Sequence, residues 1–197
     1  MTSARSPESV PTSVVLSPMA VRVLAHPLRA RLLAALRVDG PATATTLAAT
    51  FATNTGATSY HLRKLASVGL VAEVPGGSAR ERRWRAAPDM HSWFASMAGD
   101  DPETQAAADW LSGESLRRFG ELADAWHRAR SAWPIAWQDA ADTSDYVLDV
   151  SPGQLEALTS ELHAAVERAM AAAPEEGHRR VFLYEQIFAV IDYESLS

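Results

Sequence analysis

The chain has 197 residues, is 47% apolar, contains no cysteine and carries a net charge of −6. This apolar content is typical of a folded protein, and the lack of cysteine excludes disulfides and thiolate metal sites. No stretch resembles a signal peptide or a membrane span, so we expect a cytoplasmic protein with no membrane contact.

The charge is divided unevenly along the chain. Residues 1–99 contain 11 Lys and Arg against 5 Asp and Glu, whereas residues 100–197 contain 7 against 19. A basic region within an acidic protein indicates a nucleic-acid surface, because phosphate binding depends on local positive potential. Two domains with differently solvated surfaces would give the same asymmetry, so charge alone leaves both interpretations open.

The chain is predicted to begin with a disordered arm, residues 1–13, followed by two helices. Ser17-Pro18 favours a helix start, because serine caps free amides and proline suits the first helical position. His26-Pro27 ends this helix, since the residue before proline is pushed away from helical angles. One apolar stripe then predicts the second helix: Leu28, Leu32, Leu33 and Leu36.

Two further segments have the spacing of a helix-turn-helix. The first, "ATTLAATF", is predicted as a short helix capped by Thr43 or Thr45. The second, "NTGATSYHLRKLASVGLV", is predicted as a helix capped by Asn54 and stopped by Gly69. The tight turn between them predicts a helix-turn-helix pair.

The second of these helices has two faces on a helical wheel. Thr58, Leu62 and Leu65 form a stripe suited to packing on the preceding helices. The other side combines small, polar and basic residues, which predicts a helix that contacts the DNA major groove; a solvated surface is the alternative. His61 lies nearer the core boundary. The candidate DNA-binding residues here are Thr43, Asn54, Thr55, Gly56, Ser59, Tyr60, His61, Arg63 and Lys64.

A hairpin follows, with a glycine-rich tip at residues 75–78. Its second strand crowds four arginines around Trp84, which is predicted to anchor the strand. Such crowding favours a nearby anion such as the DNA backbone, although Glu73 or Glu81 could pair with some arginines. The candidates for DNA binding are Arg80, Arg82 and Arg83.

Beyond the hairpin the predicted elements are mainly helical. "PDMHSWFASMAGD" predicts a short helix, and Asp101-Pro102 starts a long one. Spacings of three and four along it predict a dimerisation seam of Phe119, Leu122, Trp126 and Trp133. A pocket for a small molecule in this Trp-rich region is the alternative. "DYVLDV", a helix from Ser151-Pro152, and "RRVFLYEQIFAVI" predict a strand-helix-strand part.

In this order, "LAHPLRARLLAAL", "TTLAATF", "TSYHLRKLASVGLV" and "RERRWRA" resemble the segments of ArsR-type winged helix-turn-helix regulators, over about residues 14–87. The chain from Asp100 onward resembles the extended C-terminal part of a larger actinobacterial-type subgroup. The resemblance implies a homodimeric transcription factor that binds an inverted-repeat operator, often under the control of an effector. It also implies a recognition helix within Asn54–Lys64 and a wing that includes Arg80–Arg85.

These patterns predict a mainly α fold with a small β content (α+β), with a winged helix-turn-helix domain at residues 14–99. Residues 100–197 are predicted to form a dimerisation region, with an effector site as an open alternative. The expected partners are double-stranded DNA and a second copy of the chain. A protein-interaction module whose basic face binds an acidic protein is the rival hypothesis.

No catalytic function, cofactor or metal is expected. The chain has no phosphate-binding glycine loop and no nucleophile motif. Where metal-sensing relatives carry a cysteine pair, this chain has Thr45, Thr46 and Leu47. Asp89 and His91 are a weak echo of another metal site of the family, and no second ligand pair accompanies them.

Overall fold

The computed structural model describes residues 13–75, 82–87, 90–92 and 98–189. The predicted mainly helical α+β class is confirmed. The helices are α1 (Pro18–Leu24), α2 (Pro27–Val38), α3 (Ala44–Thr50), α4 (Thr55–Ala66), α5 (Pro102–Ala129), α6 (Ile135–Ala140) and α7 (Pro152–Ala171). The strands are β1 (Ser13–Val15), β2 (Ala42–Thr43), β3 (Val71–Glu73), β4 (Arg83–Ala86) and β5 (Met90–Ser92).

The break between the first two helices is confirmed. The Ser17 side chain accepts a hydrogen bond from the Ala20 amide at 3.2 Å and so begins α1. At the start of α2, His26 Nδ1 accepts from the Leu28 amide at 3.2 Å, and Pro27 takes the first helical position. The imidazole therefore acts as a helix cap, a role that the sequence pattern did not indicate.

The predicted hairpin is confirmed as part of a three-stranded antiparallel sheet in the order β2-β4-β3. Ala42 lies opposite Trp84, and Val71 lies opposite Ala86. The strand β2 was not predicted, because two residues are too few to show any periodicity. It connects the base of the hairpin to the start of α3.

The helix predicted within residues 88–100 is wrong at Met90–Ser92, where the backbone forms β5. This strand pairs in parallel with β1, so that Val14 lies opposite His91. The pairing joins segments more than seventy positions apart, and local helix propensity cannot indicate such a contact. Residues 93–97, like residues 1–12 of the predicted arm, lie outside the described residues.

A leucine-rich core joins α1, α2, α4 and the sheet. Leu32, Leu62 and Leu65 are fully buried, and Trp84 is only 4% exposed. The predicted anchoring of the arginine-rich strand by Trp84 is therefore confirmed. Thr58 is a polar residue that is also buried, and its hydroxyl donates to the Asn54 carbonyl oxygen at 3.1 Å. That bond satisfies the hydroxyl inside an otherwise apolar environment.

The long helix α5 begins as predicted, with the Asp101 side chain as its cap. Its first turns pack on α1, and Arg22 donates to the Asp101 carboxylate at 2.6 Å and to the Thr104 hydroxyl at 3.0 Å. Leu111 is 3% exposed and belongs to the core described above. The first third of α5 is thus built into the core of the N-terminal half of the chain.

After Leu111 the described chain, up to residue 189, contains no buried residue. The helix α7 forms as predicted and has a capping box between Ser151 and Gln154. The two strands predicted around it are wrong for the single chain. Residues 145–150 and 179–189 are extended, but no described segment pairs with them, and a strand needs such a partner. No helix in the described parts of the chain is long and apolar enough to cross a membrane.

Candidate nucleic-acid interface

The turn between α3 and α4 is built from local caps. The Thr43 hydroxyl accepts from the Thr46 amide at 3.1 Å and begins α3. Ala52 has a φ of 49°, in the left-handed region, which reverses the chain between the helices. Asn54 Oδ1 then accepts from the Ala57 amide at 2.8 Å and begins α4. Of the two predicted caps for α3, the structure selects Thr43, and the Asn54 cap is confirmed.

The two predicted faces of α4 are confirmed. Thr58, Leu62 and Leu65 are completely buried on the inner face. On the outer face Tyr60 is 50% exposed, and Arg63 and Lys64 are exposed. The Lys64 ammonium lies 5.8 Å from the centre of the Tyr60 ring, a favourable cation–π distance. A tyrosine and two cations therefore share one accessible surface.

The start of α4 offers close access to its backbone. Asn54, Thr55 and Gly56 are exposed, and Ser59 is partly buried at the edge of the outer face. A Cβ added at Gly56 would lie 3.3 Å from Asn54 Oδ1, close to the atom that caps the helix. Free amides at a helix start attract phosphate oxygens. Glycine at this position keeps both the cap and the backbone accessible.

His61 occupies the boundary that the helical wheel predicts. Its ring centre lies 4.5 Å from that of His26 and 5.2 Å from that of Tyr60. Its Nδ1 is buried and has no hydrogen-bond partner among the described residues. Burial, the nearby His26 and the Arg29 charge lower the pKa of His61, so the neutral ring is favoured. His61 is therefore placed to orient α4 from beneath, whereas Tyr60 faces outward.

The arginines of the wing, about residues 75–85, differ in their surroundings. Arg82 forms an ion pair with Glu73 across the hairpin at 2.8 Å, so the proposed pairing with Glu73 is confirmed for this arginine. Arg83 donates to the Pro41 carbonyl oxygen at 2.7 Å, beside the start of β2. Arg85 donates to the Ala86 carbonyl oxygen at 3.2 Å. Arg80 and Glu81 lie outside the described residues.

These contacts give two of the wing arginines a structural role in the isolated chain. Arg82 and Glu73 are each about half exposed, so water screens the pair and a phosphate could compete for the guanidinium. The Arg83 bond fixes β4 to the turn before α3. The wing strand is thereby held beside the first helix of the helix-turn-helix arrangement.

A protein-family model described as a helix-turn-helix domain matches residues 24–74. The chain carries a helix-turn-helix domain. The match covers the end of α1 through β3, which includes α3, the turn and all of α4. Helix-turn-helix domains are the DNA-binding units of transcriptional regulators, and they are typically not enzymes. No curated protein is significantly similar to the chain.

Three of the four residues predicted to form a dimerisation seam make aromatic contacts within their own chain. Phe119 stacks on Tyr184, with ring centres 4.9 Å apart. Trp126 meets the edge of Trp133 at 5.5 Å, and Leu122 is partly buried. Trp133 lies beyond α5, after a 3₁₀ turn at Arg130–Ala132. The sequence did not indicate Tyr184 as a partner of Phe119, because more than sixty residues separate them.

A cleft of about 480 Å³ lies between α2, the end of α3 and α5. Arg31, Arg117 and Arg118 line it, and the Arg31 guanidinium sits 4.6 Å from the centre of the Phe51 ring. Arg117 is paired with Glu114 and Glu121. Burial and the nearby Arg118 lower the pKa of Arg37, which lies on the adjoining turn of α2. Asp39 and Glu121 also line the cleft, so three arginines and two carboxylates face it.

Proposed function

We propose that the protein is a sequence-specific DNA-binding transcriptional regulator that acts as a homodimer on an inverted-repeat operator. In this proposal α4 enters the major groove and the wing follows the backbone or the minor groove. The observation that carries it is the outer face of α4, where Tyr60, Arg63 and Lys64 are exposed together within a helix-turn-helix domain. Arginine and tyrosine can contact base edges, while lysine suits a phosphate.

The charge distribution supports DNA as the partner. The half of the chain that contains α4 and the wing is basic, although the whole protein is acidic. The acidic half would repel the DNA backbone, so that only the basic face can approach it. A homodimer would place two α4 helices about one turn of DNA apart, which matches an inverted repeat.

The first test separates sequence-specific recognition of bases from sequence-independent electrostatic binding to DNA. A binding site is selected from random duplexes with the full chain, and then titrated with the Arg63→Ala variant. We expect a loss of about 1–3 kcal/mol on the selected site and weaker preference among sequences. Arg128→Ala removes an exposed charge from α5 and serves as the matched control. Equal binding of the selected site by Arg63→Ala and the unaltered protein would refute the assignment of α4.

The second test uses the ion pair of the wing. Arg82→Ala should weaken binding to all duplexes alike and reduce the dependence of affinity on salt. Glu73→Gln should do the reverse, because it releases Arg82 from its carboxylate partner. If both variants bind DNA like the unaltered protein over a range of salt concentrations, the wing does not follow the backbone.

The rival hypothesis is a protein-interaction module whose basic face binds an acidic protein partner. The helix-turn-helix match and the exposed Tyr60 on α4 favour DNA over this rival. Retention on duplex DNA under competition separates the two: a regulator prefers some sequences, whereas an interaction module shows only salt-dependent, sequence-independent retention.

Control of DNA binding by a small molecule is a second candidate, favoured by the cleft between α2 and α5 rather than by the Trp-rich region. Arg31 and Arg118 line it from the two helices beside Phe51, whereas Asp39 and Glu121 line other parts of it. A small organic anion would therefore bind between the two arginines and the Phe51 ring. Benzoate serves as a probe at constant ionic strength. A saturable rise in melting temperature that Arg118→Gln abolishes and Arg128→Gln keeps would support this site; equal responses in all three would exclude it.

A further inference from the structure

Two extended segments flank α7 and lack backbone partners among the described residues. The first extended segment comprises residues 145–150, and the second comprises residues 179–189. Neither takes part in a backbone–backbone hydrogen bond with any residue that the structure describes. Backbone amides and carbonyls of apolar extended chain are usually paired with another strand. Both segments therefore present open edges.

The same segments carry much of the apolar surface that the structure leaves exposed. In the first, Val147 is 81% exposed; in the second, Val181 is 69% and Leu183 is 66% exposed. Clusters of exposed apolar side chains of this size mark protein contacts. The helix between them, α7, also has no buried residue, although its sequence has an apolar stripe that includes Leu155, Leu158 and Leu162. The two extended segments and α7 therefore all have apolar side chains that no other element buries in the described part of the chain.

Alternation gives each extended segment two different faces. In the first, Tyr146, Leu148 and Val150 form an apolar face, opposite Asp145, Val147 and Asp149. In the second, Phe182 and Tyr184 share a face, and Tyr184 packs on Phe119 of α5. The other face of the second segment begins with Arg179 and continues with Val181 and Leu183.

Placed side by side, the two segments are complementary. Aligning Val147 with Val181 brings the apolar face of the first segment next to the face formed by Arg180, Phe182 and Tyr184. It also places Arg179 opposite Asp145 if the strands are parallel, or opposite Asp149 if they are antiparallel. Opposite charges and β-branched residues are favourable cross-strand pairs. Two first segments paired with each other would instead bring aspartates together.

Within one chain this pairing is not made. The second extended segment is held against α5 by Tyr184 and against the end of α2, where Arg180 donates to the carbonyl oxygens of Arg37 and Val38. A second copy supplies both missing edges at once, because a two-fold axis repeats each contact. The second copy also carries the complementary charges, because Arg179 of one segment can pair with Asp145 or Asp149 of the other.

We propose that two copies of the chain exchange these segments, so that the first extended segment of each copy pairs as a β-strand with the second extended segment of the other. This inference rests on the homodimer of the proposed function and adds a shared sheet to it. The α5 seam alone would leave both segments and α7 uncovered. The sheet would also explain why the sequence has strand periodicity where one chain forms no strand.

Because the chain has no cysteine, introduced thiols can report the pairing without interference. Val147→Cys and Val181→Cys are expressed separately and together, and disulfide formation is followed on non-reducing gels. We expect covalent dimers mainly in the co-expressed pair, at about fivefold the yield of either variant alone, since only mixed dimers bring the thiols within bonding distance. Ala49→Cys, exposed on α3, gives the background from random collision.

The outcomes separate this inference from the proposed function. Covalent dimers in each single variant at the yield of the mixture would contradict the exchange, since each segment would then meet its own copy. A dimer by solution mass that forms no disulfide above the Ala49→Cys background would remove the shared sheet and leave the regulator intact. A monomer that still selects a DNA sequence would overturn the shared sheet and the homodimer, but not DNA recognition.

Charge reversal tests the alignment independently. Arg179→Asp should weaken dimerisation about tenfold, because it brings like charges together across the strands. Combining it with Asp145→Arg or with Asp149→Arg should restore dimerisation in one case, and the restoring position gives the strand orientation. Failure of both combinations would contradict the alignment of Val147 with Val181.

Discussion

The region up to Leu111 and the region after it differ in how they are stabilised. In the first, α1, α2, α4, the sheet and the start of α5 enclose a core in which Leu32, Leu62 and Leu65 are fully buried. In the second, the described residues 112–189 form the rest of α5, a 3₁₀ turn, α6, α7 and two extended segments, and none of their side chains is buried. Both regions contain apolar stripes, but only the first region buries its apolar side chains within the chain.

This difference shows that apolar patterning and a completed core are separate properties. Burial of apolar surface provides most of the driving force for folding, so the first region has what it needs to be stable alone. The second region has the helix caps and periodicity of a folded structure without the packing. Its stability should therefore depend on association, and hence on protein concentration.

The largest expected effect is in the first region. Leu62→Ala should lower the free energy of unfolding by about 2–5 kcal/mol, because it leaves a cavity in a fully buried site. Urea denaturation measures the loss, and it should be the same at low and high protein concentration. A loss that changed with concentration would mean that the first region is not an independent core.

The matching substitution in the second region is Leu162→Ala on α7, where the leucine is 39% exposed. We expect a loss of about 2 kcal/mol that is seen only at concentrations where the dimer forms, since a partner must bury this residue first. The unfolding midpoint of the unaltered protein should rise with concentration. An unfolding midpoint that is independent of protein concentration, with or without the substitution, would show that association does not stabilise the second region.

A smaller effect is expected at the helix cap. Asn54→Ala should cost about 1 kcal/mol, because the Asn54 side chain satisfies the Ala57 amide at the start of α4. Asn54→Ser keeps an oxygen at that position and is the control. The free energy of unfolding of both variants is measured with urea; equal losses would show that the cap bond contributes nothing.

The smallest effect concerns pH. Burial lowers the pKa of both His26 and His61 in the folded chain, and Arg29 lowers both further. The folded state therefore binds fewer protons, so stability is complete above the unfolded pKa of about 6.5 and falls as the pH drops below it. The melting temperature should decrease on acidification.

A variant tests whether the histidine pair causes that decrease. His61→Phe keeps an aromatic ring beside His26 and removes one titrating group. Its melting temperature should fall less than that of the unaltered protein between about pH 7.5 and pH 5.5. An equal fall in both proteins would assign the effect to other groups.

Local signals predicted most of the DNA-binding half. Ser17, Asn54 and Asp101 cap their helices as expected, and the inner and outer faces of α4 follow from residue spacing alone. The site residues that the sequence could not describe are those with distant contacts. The Arg83 bond to Pro41 and the contact between His61 and His26 join segments that only the folded chain brings together.

The sequence by itself determined where α1, α2, α4, α5 and α7 begin and which residues of α4 can face a partner, because caps and periodicity act over a few positions. Only the tertiary structure decided that Met90–Ser92 is a strand beside β1 and that Arg82 is paired with Glu73. It also decided that residues 145–150 and 179–189 have no strand partner among the described residues. Strand pairing joins residues far apart in sequence, and a pattern of alternation shows that a strand can form but not which strand completes it.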